Sequence, residues 1–267
     1  MKRYTIVLVV MLLFSTFFSG FALANEDGVE QPHKLVALGD SITYGSGLGN
    51  PSSEAFPYLI GNAASLDVTN LGKPGWTSGQ LLTAVKSDVS FMEAIAAADV
   101  ITLNIGGNDL FQAVGVQEAL ATGKFESTPE LEEKVRAAGL QLGKNLGEII
   151  GAIRAQAPTA PIVLYNIYNP FGPSEVPSLQ TLYEYGEQVN SMVIGPIQTA
   201  TGSILANAYS AFSGNQASYI IPGDVHPNVA GHQALASLVN NILFDLLPEE
   251  DPGTENPDPD ETGRAGW

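Results

Sequence analysis

The regular alternation of short apolar runs with helix-like segments constrains the fold more than any other feature of this sequence. Apolar runs typical of buried strands occupy residues 34–38, 67–71, 100–104, 162–167 and 203–206. Helical character follows at residues 54–66, 77–86, 89–97, 179–199 and 228–246. Alternating strands and helices form parallel sheets with helices on both faces, so the pattern predicts an α/β fold, a three-layer α/β/α sandwich. Its parallel sheet should have about five strands.

The stretch after Thr128 gives the clearest helix. Thr128 is a predicted cap, and Pro129 suits the first helical position. Apolar residues then recur at steps of three and four: Leu131, Val135, Ala138, Leu142, Leu146, Ile149 and Ile153. This spacing predicts one long helix with a single buried face.

The first 24 residues have the pattern of an export signal. Lys2 and Arg3 precede an apolar stretch, and Ala22 and Ala24 place small residues at the two positions that a signal peptidase reads. We predict a signal peptide at residues 1–24, cleaved after Ala24. The alternative is an uncleaved membrane anchor, since the apolar stretch approaches the length of a bilayer span. Cleavage would leave a secreted, extracytoplasmic protein with no stable membrane insertion.

The net charge of the chain limits the kinds of partner that it is expected to bind. There are 28 acidic and 11 basic residues, a formal net charge of −17 and a pI near 4.3. Phosphate contacts dominate affinity for nucleic acid, so no nucleic-acid partner is expected. The acidic, proline-rich residues 248–267 are typical of a disordered tail, which leaves residues 25–247 as the predicted folded domain. The absence of cysteine excludes disulfides, thiolate metal sites and a cysteine nucleophile.

Four short motifs place small and polar residues where predicted strands end. Residues 39–43 (GDSIT), 70–75 (NLGKPG) and 106–109 (GGND) follow the first three strands, and residues 224–228 (DVHPN) precede the last helix. In open α/β sheets, ligand sites lie outside the carboxyl ends of the strands. We therefore expect the sheet to bring the four motifs together.

The residues in these motifs suit acyl transfer by a serine nucleophile. Such a serine needs a base within hydrogen-bond reach, and the chain has three histidines. His33 precedes the first strand and His232 lies inside the last helix, so His226 is the best candidate base for Ser41. Asp224 is the nearest carboxylate in sequence to hold the other imidazole nitrogen.

A tetrahedral intermediate also needs preorganised donors for its oxyanion. The predicted oxyanion hole consists of the backbone N–H groups of Ser41 and Gly72 and the side-chain amide of Asn108. Taken singly, Ser41 is also typical of a helix cap, Gly72 of a turn and Asn108 of an Asx turn. Side chains near the strand ends that would line a pocket, or else belong to the core or surface, are Trp76, Phe111, Asn166, Tyr168, Asn169 and Phe171.

Together the four motifs resemble those of the GDSL/SGNH hydrolase family, which is named for Ser, Gly, Asn and His in four sequence blocks. Here they correspond to Ser41, Gly72, Asn108 and His226, and the resemblance spans residues 35–246. It implies a flavodoxin-like sandwich of the SGNH hydrolase fold, a metal-independent esterase or lipase with no cofactor, and a Ser-His-Asp triad. The expected partner is an ester substrate: a lipid, a small acyl ester or a carbohydrate O-acetyl group.

The chain departs from the family pattern in two places. Ile42 stands where the family name carries leucine, which is a mild apolar change. The family's last block places aspartate three residues before the histidine, where this chain has Gly223, and Asp224 lies only two residues before His226. Either Asp224 reaches His226 through a different turn, or a backbone carbonyl orients the imidazole and the site is a dyad.

Other functions fit the sequence less well. The α/β-hydrolase fold requires Gly-x-Ser-x-Gly, which the chain lacks. A metal-dependent phosphoesterase would be short of ligands with three histidines, so no metal is expected. The main alternative is a catalytically inactive surface or carbohydrate-binding protein of the same fold.

Overall fold

Five parallel strands form the centre of the structure, in the order β2-β1-β3-β4-β5. The computed structural model describes residues 32–115, 128–171 and 184–246, which belong to a unit that begins at Pro32. The strands are β1 (Lys34–Gly39), β2 (Asp67–Asn70), β3 (Val100–Asn104), β4 (Ile162–Tyr165) and β5 (Ile204–Ala206). This is the flavodoxin-like order, so the predicted fold class is confirmed. The predicted signal peptide, the acidic tail and residues 179–183 of a predicted helix lie outside the described residues.

Helices connect the strands and cover both faces of the sheet. Before β3 they are α1 (Ser41–Tyr44), α2 (Pro51–Glu54), α3 (Phe56–Ala64), α4 (Ser78–Ser87) and α5 (Val89–Ala96). After β3 they are α6 (Gly107–Val114), α7 (Pro129–Gln156), α8 (Gly195–Thr201), α9 (Ala208–Phe212), α10 (Gln216–Tyr219) and α11 (Val229–Leu246). Residues 184–189 are also helical and continue through a π-helical turn (Asn190–Ile194) into α8.

Two apolar cores sandwich the sheet because its strands bury side chains on both faces. One core joins the sheet to α4, α5 and α7, and the other joins it to α3 and α11. Alternate residues of β1 divide between them, with Val36 in the first core and Leu35 in the second. The predicted long helix is confirmed as α7, whose Thr128 cap accepts a hydrogen bond from the Leu131 N–H at 3.2 Å.

Several local predictions need correction. The helix predicted at 54–66 is interrupted at Ala55, whose extended backbone (ψ 145°) separates α2 from α3. Just before the DVHPN motif, residues 218–219 end α10 and Ile220 forms a single bridge with Pro227. The helical turn at the GDSIT motif and helix α6 were not predicted. No helix in the described ranges is long and apolar enough to cross a membrane.

A buried histidine links α11 to the start of α3. The His232 side chain is fully buried, and its Nδ1 accepts a hydrogen bond from the Phe56 N–H at 3.2 Å. Burial, with a smaller contribution from the nearby His226, lowers the pKa of His232 from 6.5 to about 4. Because Nδ1 can accept this bond only in the neutral ring, the fold selects the unprotonated imidazole.

We predict that His232 makes the fold sensitive to acid. The unfolded chain takes up this proton near pH 6.5 and the folded chain only near pH 4, so the free energy of unfolding falls by about 3 kcal/mol across that interval. His232→Asn keeps an acceptor but does not titrate. Urea unfolding at about pH 7.5, 5.5 and 4.5 should show a smaller acid-dependent loss in this variant. The exposed His33 gives a matched control, His33→Asn, which should keep the wild-type slope. Parallel pH dependences in all three proteins would contradict the prediction.

Candidate active site

Two of the four motifs predicted to carry the chemistry, GDSIT and GGND, follow the adjacent strands β1 and β3. Gly39 pairs with Asn104 where both strands end. The chain leaves β1 toward α3 on one face and leaves β3 toward α7 on the other. This is a topological switch point, the place where open α/β sheets bind ligands.

Ser41 is held at this edge by a tight helical turn. It is the first residue of α1, and the Asp40 side chain caps the turn by accepting a hydrogen bond from the Ile42 N–H at 2.9 Å. A Cβ on Gly39 would lie 2.1 Å from Thr43 Oγ1, so the turn packs against β1 only because residue 39 is glycine. The Ser41 side chain is thereby presented at the carboxyl edge of the sheet.

The structure brings Ser41, His226 and Asp224 into one hydrogen-bonded array. Ser41 Oγ lies 3.0 Å from His226 Nε2, and His226 Nδ1 lies 2.7 Å from Asp224 Oδ1. Both distances are normal for hydrogen bonds. When the Nδ1 proton faces the carboxylate, Nε2 is free to accept the serine proton.

A tight turn lets Asp224 reach His226 from only two residues away. Gly223 has a φ of 77°, a left-handed conformation that favours glycine. The Asp224 carboxylate also accepts hydrogen bonds from the backbone N–H groups of Val225 at 2.6 Å and His226 at 3.3 Å. The same loop is also held by the Tyr168 hydroxyl, which donates a hydrogen bond to the Val225 carbonyl at 2.7 Å. A carboxylate, rather than a backbone carbonyl, therefore faces Nδ1.

Two carboxylates at the site have opposite pKa shifts. Burial alone would raise the pKa of Asp224, but the hydrogen bonds from the His226 ring and the Val225 N–H outweigh it and hold this pKa below 3.8. Burial raises the pKa of Asp40 to about 7 despite the bond from the Ile42 N–H, and the charge of Asp109 adds to the rise. Asp224 is therefore ionised at neutral pH, whereas Asp40 exchanges its proton near neutrality.

Asn108 lines the cleft from the first turn of α6. Its Nδ2 donates to the Trp76 carbonyl at 2.9 Å and lies 3.4 Å from Asp40 Oδ2. The first bond fixes the orientation of the amide, while the second N–H has only the long contact to Asp40. The Ser41 N–H opens α1, where the first N–H groups have no partner within the helix. Two of the three predicted donors, Ser41 and Asn108, therefore lie at the cleft.

Gly72 does not occupy its predicted place. Its N–H donates to Asn70 Oδ1 at 2.9 Å, and a Cβ on Gly72 would lie 2.3 Å from the Tyr44 backbone nitrogen. Gly72 is thus a packing glycine that lets the loop after β2 lie against α1. Gly75 of the same motif lines the cleft instead, with a φ of 79° and open space where a Cβ would stand. The second glycine of NLGKPG was the signal in the sequence that could have identified it.

A cleft of about 740 Å³ opens over Ser41. Its wall is partly apolar, from Ile42, Pro74, Phe111, Ile167, Tyr168 and Val225, and partly amide, from Asn104, Gln112 and Asn166. Three of the six candidate pocket residues therefore line it: Phe111, Asn166 and Tyr168. Trp76 instead stacks on Phe91, with ring centroids 5.8 Å apart, and Asn169 is buried with its Oδ1 bound to the Phe171 N–H.

The remaining titratable groups do not form a metal centre in the part of the chain that the structure describes. His33 lies 3.6 Å from Asp99 at the surface, and His232 lies in the second core. Across residues 32–115, 128–171 and 184–246, no group of three or more His, Asp or Glu side chains is arranged to hold a metal ion.

The fold and the site define a flavodoxin-like α/β protein with a Ser-His-Asp array at the switch point of its sheet. Residues 37–234 match the model of the GDSL-like Lipase/Acylhydrolase family. The chain belongs to this family and is therefore an enzyme of the GDSL lipase and esterase class.

Similar proteins support this assignment. Spore germination lipase LipC of Bacillus licheniformis is 28% identical over 215 residues, covering 76% of this chain and 92% of the relative. Phospholipase A1 from Streptomyces albidoflavus has a similar structure, with a TM-score of 0.60 at 20% identity over 79% of this chain and 99% of that protein. The acetylxylan esterase Axe2 from Geobacillus stearothermophilus gives a TM-score of 0.55 at 21% identity over 83% and 97% of the two chains. The structural matches show the shared fold.

We predict that Asp224→Asn lowers kcat by about 10²–10⁴-fold. The amide would donate to Nδ1 and leave the ring proton on Nε2, so the Ser41 hydroxyl would lose its acceptor. Steady-state ester hydrolysis at neutral pH measures the effect. Asp99→Asn, at the surface Asp–His pair, is the matched control and should keep wild-type rates. A change below about threefold in Asp224→Asn would instead support a dyad.

Proposed function

We propose that this chain is an exported serine esterase in which Ser41, His226 and Asp224 form the catalytic triad. The proposal is carried by the two hydrogen bonds that join Ser41 Oγ to His226 at 3.0 Å and His226 to Asp224 at 2.7 Å. Their position at the switch point of the sheet, in the wall of the cleft, supports the same function.

In the proposed reaction, Ser41 Oγ attacks the ester carbonyl while His226 Nε2 takes the hydroxyl proton. The tetrahedral intermediate then collapses, and His226 gives this proton to the departing alcohol. The same imidazole then deprotonates a water, which attacks the acyl-serine; as the Ser41 Oγ–acyl bond breaks, His226 returns the proton to Ser41 Oγ and the acid leaves. Throughout the reaction the Nδ1 proton stays on the ring and is donated in a hydrogen bond to the Asp224 carboxylate, which keeps Nε2 available as the base.

Three donors stabilise the oxyanion in this proposal: the Ser41 N–H, the Asn108 side-chain amide and a glycine N–H. We assign the glycine as Gly75 instead of Gly72, because the Gly72 N–H is already bound to Asn70. Loss of one such donor typically costs about 3–4 kcal/mol of barrier stabilisation. Trp76, which follows Gly75, accepts the bond that orients Asn108.

The proposed substrate is a carboxylic ester that carries both apolar and polar groups. Apolar side chains such as Phe111 and Ile167 suit an acyl chain or an apolar alcohol, and amides such as Asn104 and Asn166 suit hydroxyl or carbonyl groups. The similar proteins include a lipase, a phospholipase A1 and an acetylxylan esterase, so lipid and carbohydrate esters both belong in the test.

We predict that the mature domain hydrolyses p-nitrophenyl esters and that Ser41→Ala abolishes this activity. Rates on acetate, butyrate and longer acyl esters should survive EDTA, because the proposed groups need no metal. Ser237→Ala, at a helix serine whose hydroxyl bonds its own helix, is the matched control and should keep full activity.

Two results would contradict this function. Activity that persists in Ser41→Ala but disappears with EDTA would indicate a metal site. Binding of an ester or a polysaccharide with no hydrolysis of any ester tested, acetylated xylan among them, would favour the inactive binding protein.

We further propose that residues 1–24 are a cleaved signal peptide, residues 25–247 the hydrolase domain and residues 248–267 an acidic tail. Expression of the full chain in a bacterial host should yield extracytoplasmic protein that begins at Asn25, as read by N-terminal sequencing. Ala24→Arg should block processing by removing the small residue that signal peptidase reads, whereas Ala24→Ser should be processed normally. Membrane-bound protein that retains Lys2 would instead indicate an uncleaved anchor.

A further inference from the structure

A chain of polar side chains lies beneath the proposed oxyanion hole. Asp109 accepts two hydrogen bonds from Ser78, from the backbone N–H at 2.9 Å and from the hydroxyl at 2.5 Å. Ser78 Oγ in turn accepts a bond from Asn145 Nδ2 at 2.8 Å, and Asn145 Oδ1 accepts one from Gln141 Nε2 at 2.8 Å. We call these four residues the Asp109 tie; it joins the starts of α6 and α4 to the middle of α7.

Burial fixes the geometry of this tie. Ser78 is fully buried and Asn145 is 6% exposed, among apolar residues that include Leu81, Leu142 and Leu146. The Ser78 hydroxyl donates once and accepts once. A buried polar group that loses its partner costs more than the bond itself is worth, so the tie resists any rearrangement that leaves one member unpaired.

The tie crosslinks the two segments that carry proposed oxyanion donors. Ser78 lies three residues after Gly75, and Asp109 directly follows Asn108. The Asn108 amide forms a second crosslink between the same segments through the Trp76 carbonyl at 2.9 Å. Two neighbouring crosslinks restrict both the separation of the two segments and their rotation relative to each other. The donors at Gly75 and Asn108 are therefore held at a fixed distance from each other.

We propose that Asp109 is a positioning residue that, through Ser78, sets the spacing of the Gly75 and Asn108 donors. This inference rests on the proposed function, since it requires an oxyanion hole. Oxyanion donors act by being placed before the reaction begins, and a misplacement of about 1 Å can cost on the order of 10²-fold in rate. The negative charge of Asp109 would by itself disfavour a nearby oxyanion. When Asp109 becomes neutral, weakening of the tie therefore predicts a fall in kcat, whereas removal of the charge predicts a rise.

The test compares Asp109→Asn and Ser78→Ala with Asp88→Asn. Asp88 accepts the same pair of bonds from Ser90, at 2.9 and 2.6 Å, but does so at the start of α5, and it does not line the cleft. We expect kcat for p-nitrophenyl butyrate to fall by about ten- to a hundredfold in Asp109→Asn, with KM changed less than threefold. Ser78→Ala should give a smaller loss in kcat, and Asp88→Asn should keep the wild-type value.

Trp76 provides a second readout that does not depend on catalysis. The chain has two tryptophans, so Trp267→Phe leaves Trp76 as the single tryptophan, which can be excited at wavelengths that tyrosine does not absorb. Acrylamide quenching of Trp76 should rise by about twofold in Asp109→Asn, as the segment loosens, and should not change in Asp88→Asn. If Ser41→Ala retains activity while this quenching difference is present, the proposed function fails but the tie between the segments stands.

Several outcomes would overturn the positioning role. Equal kcat and equal quenching in Asp109→Asn and Asp88→Asn would show that the tie does not set the donors. A rise in kcat in Asp109→Asn would show that the charge outweighs the tie. If Asp109→Asn does not fold, Ser78→Ala decides the matter, because it keeps the carboxylate and its bond from the backbone N–H; an unchanged kcat in Ser78→Ala would then reject the role.

Discussion

The parallel pairing of β1 with β3 is the constraint on which the rest of the site depends. Gly39 lies opposite Asn104, and a Cβ at residue 39 would stand 2.3 Å from the Asn104 carbonyl oxygen. Because the two strands end level, Ser41 and Asn108 leave the sheet at the same edge. The connections that follow lead to opposite faces of the sheet, so the ends of the two strands are left with an open crevice between them. Backbone pairing thus brings the proposed nucleophile and one proposed oxyanion donor to the same edge, where the Asp40 cap and the Trp76 carbonyl orient them.

His226 reaches this crevice by a different route, since it follows no strand of the sheet. Its loop is pinned by the bridge between Ile220 and Pro227 and by the bond from the Tyr168 hydroxyl to the Val225 carbonyl at 2.7 Å. Tyr168 lies shortly after β4, so the edge of the sheet also sets the position of His226, the proposed base. A histidine 185 residues from Ser41 in sequence is thereby held within hydrogen-bond distance of it. Strand pairing therefore positions Ser41 Oγ, and the loop contacts separately position His226 Nε2.

The sheet could be predicted from sequence to within two residues at each strand end. The apolar runs of β1, β3 and β4 are buried on both faces, as is typical of central strands in a parallel sheet. The site could be predicted where a motif residue follows a strand directly, as Ser41 does. Helix α6 was missed because GGND has the composition of a turn, yet Gly106, at a φ of 120°, turns the chain and the helix begins at once. The choice between Gly72 and Gly75 depends on the bond from the Gly72 N–H to Asn70 Oδ1 and on the Tyr44 backbone behind Gly72. The second is a long-range contact that no local pattern records.

Asp224 and Asp40, the two carboxylates nearest the Ser41–His226 pair, show how burial and hydrogen-bond donors give identical functional groups opposite pKa shifts. Asp224 faces the His226 ring and two backbone N–H groups, and these bonds favour its ionised form enough to outweigh burial. At Asp40 burial dominates and raises the pKa to about 7; the bond from the Ile42 N–H opposes this rise without cancelling it, and the charge of Asp109 contributes to it. The other oxygen of Asp40 faces the Asn108 amide at 3.4 Å. In the proposed mechanism, the carboxylate that contacts His226 is thus kept charged, where its charge would stabilise the imidazolium formed during attack. The carboxylate that contacts the proposed oxyanion donor Asn108 has a pKa near neutrality, and a full negative charge there would oppose the oxyanion.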